Sequence, residues 1–493
     1  MNILFACSEV APFARTGGLA DVCASLPTAL AELGHNPILF LPAYRSVFTC
    51  GEPLEKTDIR FSVPVGQRAI FAELWKGTLK GTEIPIYFIR QDHYFDRLEL
   101  YSENGTDYND NCERFVFFSR AVMESMTALN LSIDILHSND WQTGLIPAYQ
   151  DILYRDKKGY EKIVTVHTIH NLAYQGIFWH WDMLLTGINW EHFTYDQMEF
   201  YGKLNLMKTA VMFAHGITTV SPRYALEIQS SVFGCGMESV LQYRSPMLRG
   251  ILNGVSAKRW NPATDPYIVA PFDATTVFEK KPLCKQDLQT SLGLAVQADV
   301  PLVGVVSRFA YQKGIDLIAE AIPLWVEKHG VQFCLLGKGD ASLETRLNEL
   351  AKRYPQNVAV RCEFSDEWAH KIEAGSDIFL MPSRYEPCGL NQMYSQLYGT
   401  VPLVHDTGGL ADTVVNLSDE TLLNGTATGF SFYSDSMHDL NTTLWRTLSV
   451  YWNEKDVWKR LIHNGMRQNW SWQKSAEQYV RFYEKLRTKN KLT

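Results

Sequence analysis

The sequence lacks the usual metal signatures. No Cys-x-x-Cys pair, His-Glu-x-x-His or Asp-x-Asp occurs in its 493 residues, so no zinc or carboxylate-held metal site is expected. It also lacks an excess of base. With 46 Lys and Arg against 54 Asp and Glu, the net charge of −8 excludes nucleic acid as a bulk partner, because phosphate backbones are held mainly by excess cations. A local basic site for a small anion stays open. No apolar run approaches the roughly 20 residues of a membrane helix. The nine cysteines form no pattern, which argues against a disulfide scaffold and for a reducing cytoplasm. The opening "MNILFACSEV" has no basic segment and is interrupted by Ser8 and Glu9, so it reads as a first strand and not as a signal peptide. A cytoplasmic protein without a membrane partner is expected.

A chain of this length exceeds one ordinary hydrophobic core, and two large domains follow. Short apolar runs alternate with helix-period segments such as Leu19–Leu33 and Arg114–Leu129. The first half offers "NILFAC", "NPILFLPA", "EIPIYFI", "DILHS", "KIVTVH" and "GITTVS"; the second offers "PLVGVVS", "VQFCLLG", "NVAVRCE", "DIFLMPS" and "VPLVHD". Fully apolar strands followed by helices are the pattern of parallel sheets covered on both faces. The expected fold is α/β, with two doubly wound Rossmann-like domains. The turn signal Asn253-Gly254 in "RGILNGVSAKRWNP" places the boundary after residue 252.

One hexapeptide, TGGLAD, occurs twice, at Thr16–Asp21 and Thr407–Asp412. Each copy sits where a strand feeds a helix, and ligands of open parallel sheets bind beyond the carboxyl ends of the strands. Gly17, Gly18, Gly408 and Gly409 would let backbone approach a diphosphate at a helix start. Two domains facing each other would then each supply one wall of a shared site. Taken singly, a glycine pair before a helix is as often only a tight turn. Neither copy is the GxGxxG of a dinucleotide enzyme.

Other stretches carry the chemistry. "VVSRFAYQKG" places Arg308 and Lys313 after a buried strand, suited to neutralising a departing pyrophosphate; the alternative is an ordinary charged surface loop. "MPSRYEPCGLNQ" offers Glu386 and the backbone of Cys388, Gly389 and Leu390, for sugar hydroxyls and anionic oxygens, or simply as a helix cap. "HSNDWQTGL" supplies His137, Asp140 and Trp141, a hydroxyl acceptor beside an aromatic platform. "VTVHTIHNLAYQG" supplies His167, His170 and Asn171. His167 lies within the strand pattern and reads as core; His170 lies beyond it, where a ligand reaches.

These motifs, with "SEVAPFARTGGLADV", "YNDNCERF", "ILNGVSAKRWNP" and "TGGLADTV", make the chain similar from end to end to bacterial glycogen synthases and plant starch synthases. The resemblance implies a glycosyltransferase-B fold with domains 1–252 and 253–470 and a C-terminal helix, 471–493, returning to the first domain. It implies transfer of glucose from ADP-glucose to the non-reducing end of an α-1,4-glucan (glycogen or a malto-oligosaccharide) with retention, and no cofactor. By position, Arg308 and Lys313 would hold the diphosphate, while Gly18, Gly409 and Leu410 would lie near the donor. Glu386, His170 and Asn253 would contact the transferred glucose, with Asp140 close to the reacting centre. Phe364 would stack on adenine, and Tyr101 and Trp141 would serve the sugar or acceptor side. Arg15, Gly17, Asp21, Cys388, Gly389, Leu390, Thr407 and Gly408 complete the donor and substrate loops.

Three departures stand out. Arg15 replaces the family's Lys before TGGL, and the two cations differ in geometry. Asn139 stands where many relatives carry a second histidine, and "VHTIHN" is longer than the commoner form. The alternatives are the same transfer from UDP-glucose and a non-catalytic glucan-binding homologue; a homo-oligomer is left open.

Overall fold

The computed structural model describes residues 1–490. The chain divides into two compact units, Met1–Gly254 with the C-terminal segment from Trp472, and Val255–Ser471. Asn253, placed by the sequence reading at the start of the second domain, therefore belongs to the first unit.

The first unit is built on nine strands. In spatial order they begin at Leu248, Gly216, Val164, Ile135, Asn2, Asn36, Pro85, Arg68 and Glu55. From Leu248 to Pro85 all neighbours are parallel, and the last two strands run antiparallel as a hairpin. The apolar runs account for the parallel strands: Ile135–Asn139 and Val164–Ile169 are buried along their whole length, as sheets with helices on both faces require. The hairpin Glu55–Val65 and Arg68–Thr78 escaped the sequence reading. It lies at an edge with alternate residues in solvent, so its apolar content is diluted below that of a core strand.

The expected helices appear as Gly18–Glu32 and Asn111–Ala128. The C-terminal helix Trp472–Asn490 packs on Gly18–Glu32 within the same unit. Its attachments are specific. Ser475 donates to Leu252 O (2.6 Å), Arg487 pairs with Asp134 (2.7 Å), and the Tyr483 hydroxyl bonds His137 Nδ1 (2.7 Å). Gly216 and Gly254 make room for it, since a Cβ at either would collide with Leu486 or Trp472.

The second unit has six parallel strands, beginning in order at Val358, Gln332, Leu302, Ile378, Val401 and Phe430. Counted along the chain this is 3-2-1-4-5-6, the Rossmann order. Leu302–Val306 and Ile378–Met381 are neighbours from which the winding proceeds in opposite directions. In the first unit the corresponding pair is Asn2–Ala6 and Ile135–Asn139. At such a switch point the following loops diverge and leave a crevice at the strands' carboxyl ends. No described helix is long and apolar enough to cross a membrane.

Candidate active site

In the second unit, the loops leaving the two switch-point strands carry Arg308–Gly314 and Pro382–Leu390. Their backbones touch: Gly314 has φ +66, and a Cβ there would lie 2.2 Å from Pro382 O. This contact brings Lys313 Nζ onto the carboxylate of Glu386 as an ion pair. Glu386 is buried and also accepts from Ser383 Oγ (3.1 Å). Arg308 is exposed, and no carboxylate partner is found for it among the described residues. One exposed cation and one cation paired with a buried carboxylate thus leave the same strand's carboxyl end, where an anionic ligand of this fold sits.

The second TGGLAD copy is packed backbone against backbone. Thr407, Gly408, Gly409 and Leu410 are all buried. Gly408 has φ +46, and a Cβ on it would lie 2.0 Å from Glu386 O; one on Gly409 would lie 2.0 Å from Cys388 O. Gly409 N–H donates to Glu386 O (3.0 Å). These glycines clamp the Glu386 loop against the neighbouring turn, backbone on backbone. The helices opened by Leu390 and Thr407 are short, Asn391–Leu397 and Gly408–Thr413. Gly389, at φ +71, is closed on one side by the Gln392 side chain. Phe364, in the loop after Val358–Arg361, presents a ring that is 76% exposed.

The first copy is open. Arg15 to Gly18 are exposed, and a Cβ on Gly17 or Gly18 would meet nothing within 4 Å. Buried Glu9 shapes this loop by accepting from Thr16 N (2.6 Å), Thr16 Oγ1 (2.6 Å) and Gly17 N (3.2 Å). Tyr101 reaches the same carboxylate (2.9 Å) and Ser8 Oγ (3.0 Å). Arg15 turns to Asp21 in an exposed pair (3.0 Å). The sequence reading passed over Glu9; the available signal was a carboxylate within the loop that leaves the first strand.

Asp140 follows the other switch-point strand and has φ 54, ψ −179, a conformation almost confined to glycine and costing about 1–3 kcal/mol. Its carboxylate accepts from His170 N–H (2.8 Å). Burial raises its pKa to about 7, against the lowering effect of the His170 and Asn171 amides. Asn139 holds the next piece: its amide donates to Ala6 O (3.2 Å), and its Oδ1 accepts from His170 Nε2 (2.9 Å). Because a carbonyl oxygen only accepts, His170 carries its proton on Nε2 and keeps Nδ1 as an acceptor. Burial lowers the His170 pKa to about 3, so the ring is neutral. The substitution of histidine by Asn139 thus leaves His170 oriented.

Asn253 lies beyond the strand Leu248–Gly250 with its Oδ1 buried and without a partner among the described residues, an acceptor that calls for a donor from outside. His137 and His167 are core residues: His137 bonds Tyr483 and Thr168, and His167 bonds Ser138 Oγ (2.8 Å) and touches Met207 Sδ (3.4 Å). Trp141 is not the open platform expected. Its ring is wedged between Phe115 and Phe178 under Gly176, where a Cβ would lie 2.4 Å from it. Asp140, Asn139, His170 and the Glu9 loop cluster at one switch point; Lys313, Glu386 and Ser383 cluster at the other.

Comparison with known proteins gives the family and the fold. Residues 2–243 match the starch synthase catalytic domain family, and residues 293–455 match glycosyl transferases group 1. A glycogen synthase of Rhodopirellula baltica is 42% identical over 98% of this chain and 97% of its own. One of Koribacter versatilis is 44% identical over 98% of both. Among solved structures, the catalytic domain of starch synthase IV from Arabidopsis thaliana, bound to ADP and acarbose, superposes with a TM-score of 0.89 at 32% identity, covering 99% of both chains. Sucrose-phosphate synthase from Thermosynechococcus elongatus shares the fold alone, with a TM-score of 0.60 at 17% identity over 98% of both. The chain is a glycosyltransferase-B protein of the glycogen synthase and starch synthase family.

Proposed function

We propose that the chain transfers glucose from ADP-glucose to the non-reducing end of an α-1,4-glucan with retention of configuration. The observation that carries the reading is the charge arrangement at the second unit's switch point: exposed Arg308, without a carboxylate partner among the described residues, and Lys313 held on buried Glu386. A departing nucleoside diphosphate gains negative charge as the glycosidic C1–O bond breaks, and fixed cations stabilise that charge most where water is excluded. Arg308 and Lys313 take this role, so no metal or other cofactor is invoked. Glu386 then turns to the glucose hydroxyls, with the Cys388–Leu390 backbone beside it. Exposed Phe364 offers its ring to adenine. Thr407–Leu410 act on the donor indirectly, by fixing the Glu386 loop.

The sugar and acceptor side falls to the first unit. Asn253 Oδ1, without a partner among the described residues, accepts from a sugar hydroxyl, and neutral His170 offers Nδ1 to another. Asp140, when ionised, faces the positive charge that develops at C1. Gly17 and Gly18 leave room for the substrate, Arg15, Asp21 and Tyr101 border that loop, and Trp141 supports it from below. As C1–O to phosphate breaks, C1–O4 forms and the acceptor proton leaves with ADP.

The test is incorporation of labelled glucose into glycogen from ADP-glucose and UDP-glucose in parallel. Incorporation from ADP-glucose, reduced at least 100-fold in kcat by Lys313→Ala, is the expected result. Preference for UDP-glucose overturns the donor assignment. Near-normal turnover in the variant overturns the diphosphate role.

A further inference from the structure

The first unit has a cavity of about 500 Å³ at the amino ends of its parallel strands, across the sheet from the crevice that holds Asp140 and His170. It opens among the segments that lead into the strands Val164–Ile169, Gly216–Thr219 and Leu248–Gly250. Leu486 and Lys489 of the C-terminal helix close one side. None of the residues that line it has a part in the proposed reaction. Its volume is that of a small-molecule site.

Cations gather there. Arg155, Arg244 and Lys489 line the cavity together with His215. Arg155 pairs with Asp151, four residues earlier. Arg244 donates through Nη2 to Ala214 O, the carbonyl just past the helix Leu206–Phe213. Its Nε, however, is buried without a partner among the described residues. Neither Arg244 nor Lys489 has a carboxylate partner among those residues. The other acid on the wall, Asp196, is exposed and has Lys208 for a neighbour. His215 is set to donate as well. Its Nδ1 accepts from Thr165 N–H (3.1 Å), which leaves the proton on Nε2. Burial, with the charges of Arg155 and Arg244, lowers its pKa to about 4, so the ring is neutral and adds one N–H to the two guanidiniums. A helix cap accounts for Arg244 Nη2 alone. A partly buried cation without a counter-ion is costly, and an anion in the cavity removes that cost. Met212, Phe213 and Met247 supply apolar wall beside these donors.

We propose that this cavity is a phosphate-binding site, in which Arg155, Arg244, Lys489 and the Nε2–H of His215 hold the oxyanion of free phosphate or of a small phosphate ester. Guanidinium forks match phosphate oxygens two at a time, which favours phosphate over a spherical anion such as chloride. The bound anion ties the last turn of the C-terminal helix to the segments before Gly216 and Leu248, so it stabilises the first unit. Binding here does not depend on the chain being a synthase.

The test is calorimetric unfolding of the full chain in phosphate-free buffer, titrated with inorganic phosphate, with phenyl phosphate, and with sodium chloride at matched ionic strength. Tm should rise saturably with both phosphates and not with chloride. Arg244→Gln should weaken the apparent phosphate affinity about tenfold. Because Arg244 also caps Ala214 O, the exposed residue gives a second variant: Lys489→Gln should keep the fold and weaken the affinity about threefold. Arg308→Ala, which alters the donor loop of the second unit, should keep the response. No rise, or an equal rise in chloride, overturns the site. So does a response that Arg308→Ala abolishes and both Arg244→Gln and Lys489→Gln retain, a result that leaves the synthase reading intact. An intact phosphate response without any glucose incorporation overturns the synthase reading alone. Phenyl phosphate binding about fivefold tighter than phosphate sustains the site with an ester as its occupant, and equal affinities sustain it with the free ion.

Discussion

Asp140→Asn should make the protein more stable and nearly inactive, and the stability gain should depend on pH. Burial holds the Asp140 carboxyl at about 7, against 3.8 for a free group. Below pH 3.8 the side chain is protonated whether the chain is folded or not, and the shift has no effect. Between 3.8 and about 7 the unfolded chain gives up the proton while the native state keeps it. Native stability is therefore lost as pH rises through this window. Above pH 7 the full penalty, up to about 4 kcal/mol, applies; at pH 5.5 it is about 2 kcal/mol. Asparagine cannot ionise, keeps an oxygen to accept the His170 N–H, and bears the same backbone strain as the aspartate it replaces, so the comparison isolates ionisation. The variant should exceed the wild type by about 4 kcal/mol at pH 8, which for a unit of this size is roughly 8 °C in Tm, and by about half that at pH 5.5. Differential scanning calorimetry at the two pH values reads this directly. In the same preparations kcat should fall about 100-fold or more through loss of the ionised carboxylate. A stability gain equal at both pH values, or a loss at both, would refute the argument that buried ionisation at Asp140 is what the fold bears.

Gly409→Ala and Gly18→Ala should part company although the residues occupy matching places in the repeat. The first forces a Cβ to 2.0 Å from Cys388 O and should cost about 3 kcal/mol; the second meets only open space and should leave the unfolding free energy within about 0.5 kcal/mol of wild type while weakening substrate binding, as denaturant melts and KM values would show. Glu9→Gln should loosen the Thr16–Gly17 turn, because one amide hydrogen now faces an N–H or hydroxyl donor; faster hydrogen exchange at Thr16 and Gly17 and a higher KM are expected, and unchanged exchange would count against Glu9 as the organiser. Tyr483→Phe removes the hydroxyl bonded to His137 in the sheet core and should cost about 1–2 kcal/mol, measurable by thermal melting without change in kcat.

Much of this protein is legible in the sequence because the relevant forces are local. Fully apolar runs such as "VQFCLLG" can be buried only between two layers of helices, so the parallel strands and the Rossmann class follow from composition and period. Polar residues just past those runs, among them Arg308, Lys313, Glu386, Asp140 and His170, necessarily fall at the strands' carboxyl ends. Tertiary structure decided what depends on strand order and on close backbone approach. It made the two identical hexapeptides unlike: one is an open loop tied by Glu9, the other a clamp whose glycines are imposed by Glu386 O and Cys388 O. It turned Trp141 from a platform into a wedge. It recruited Asn139 to orient His170 and forced Asp140 into a glycine-like conformation. None of these is encoded within one stretch, because each arises where segments far apart in the chain compete for the same few ångströms.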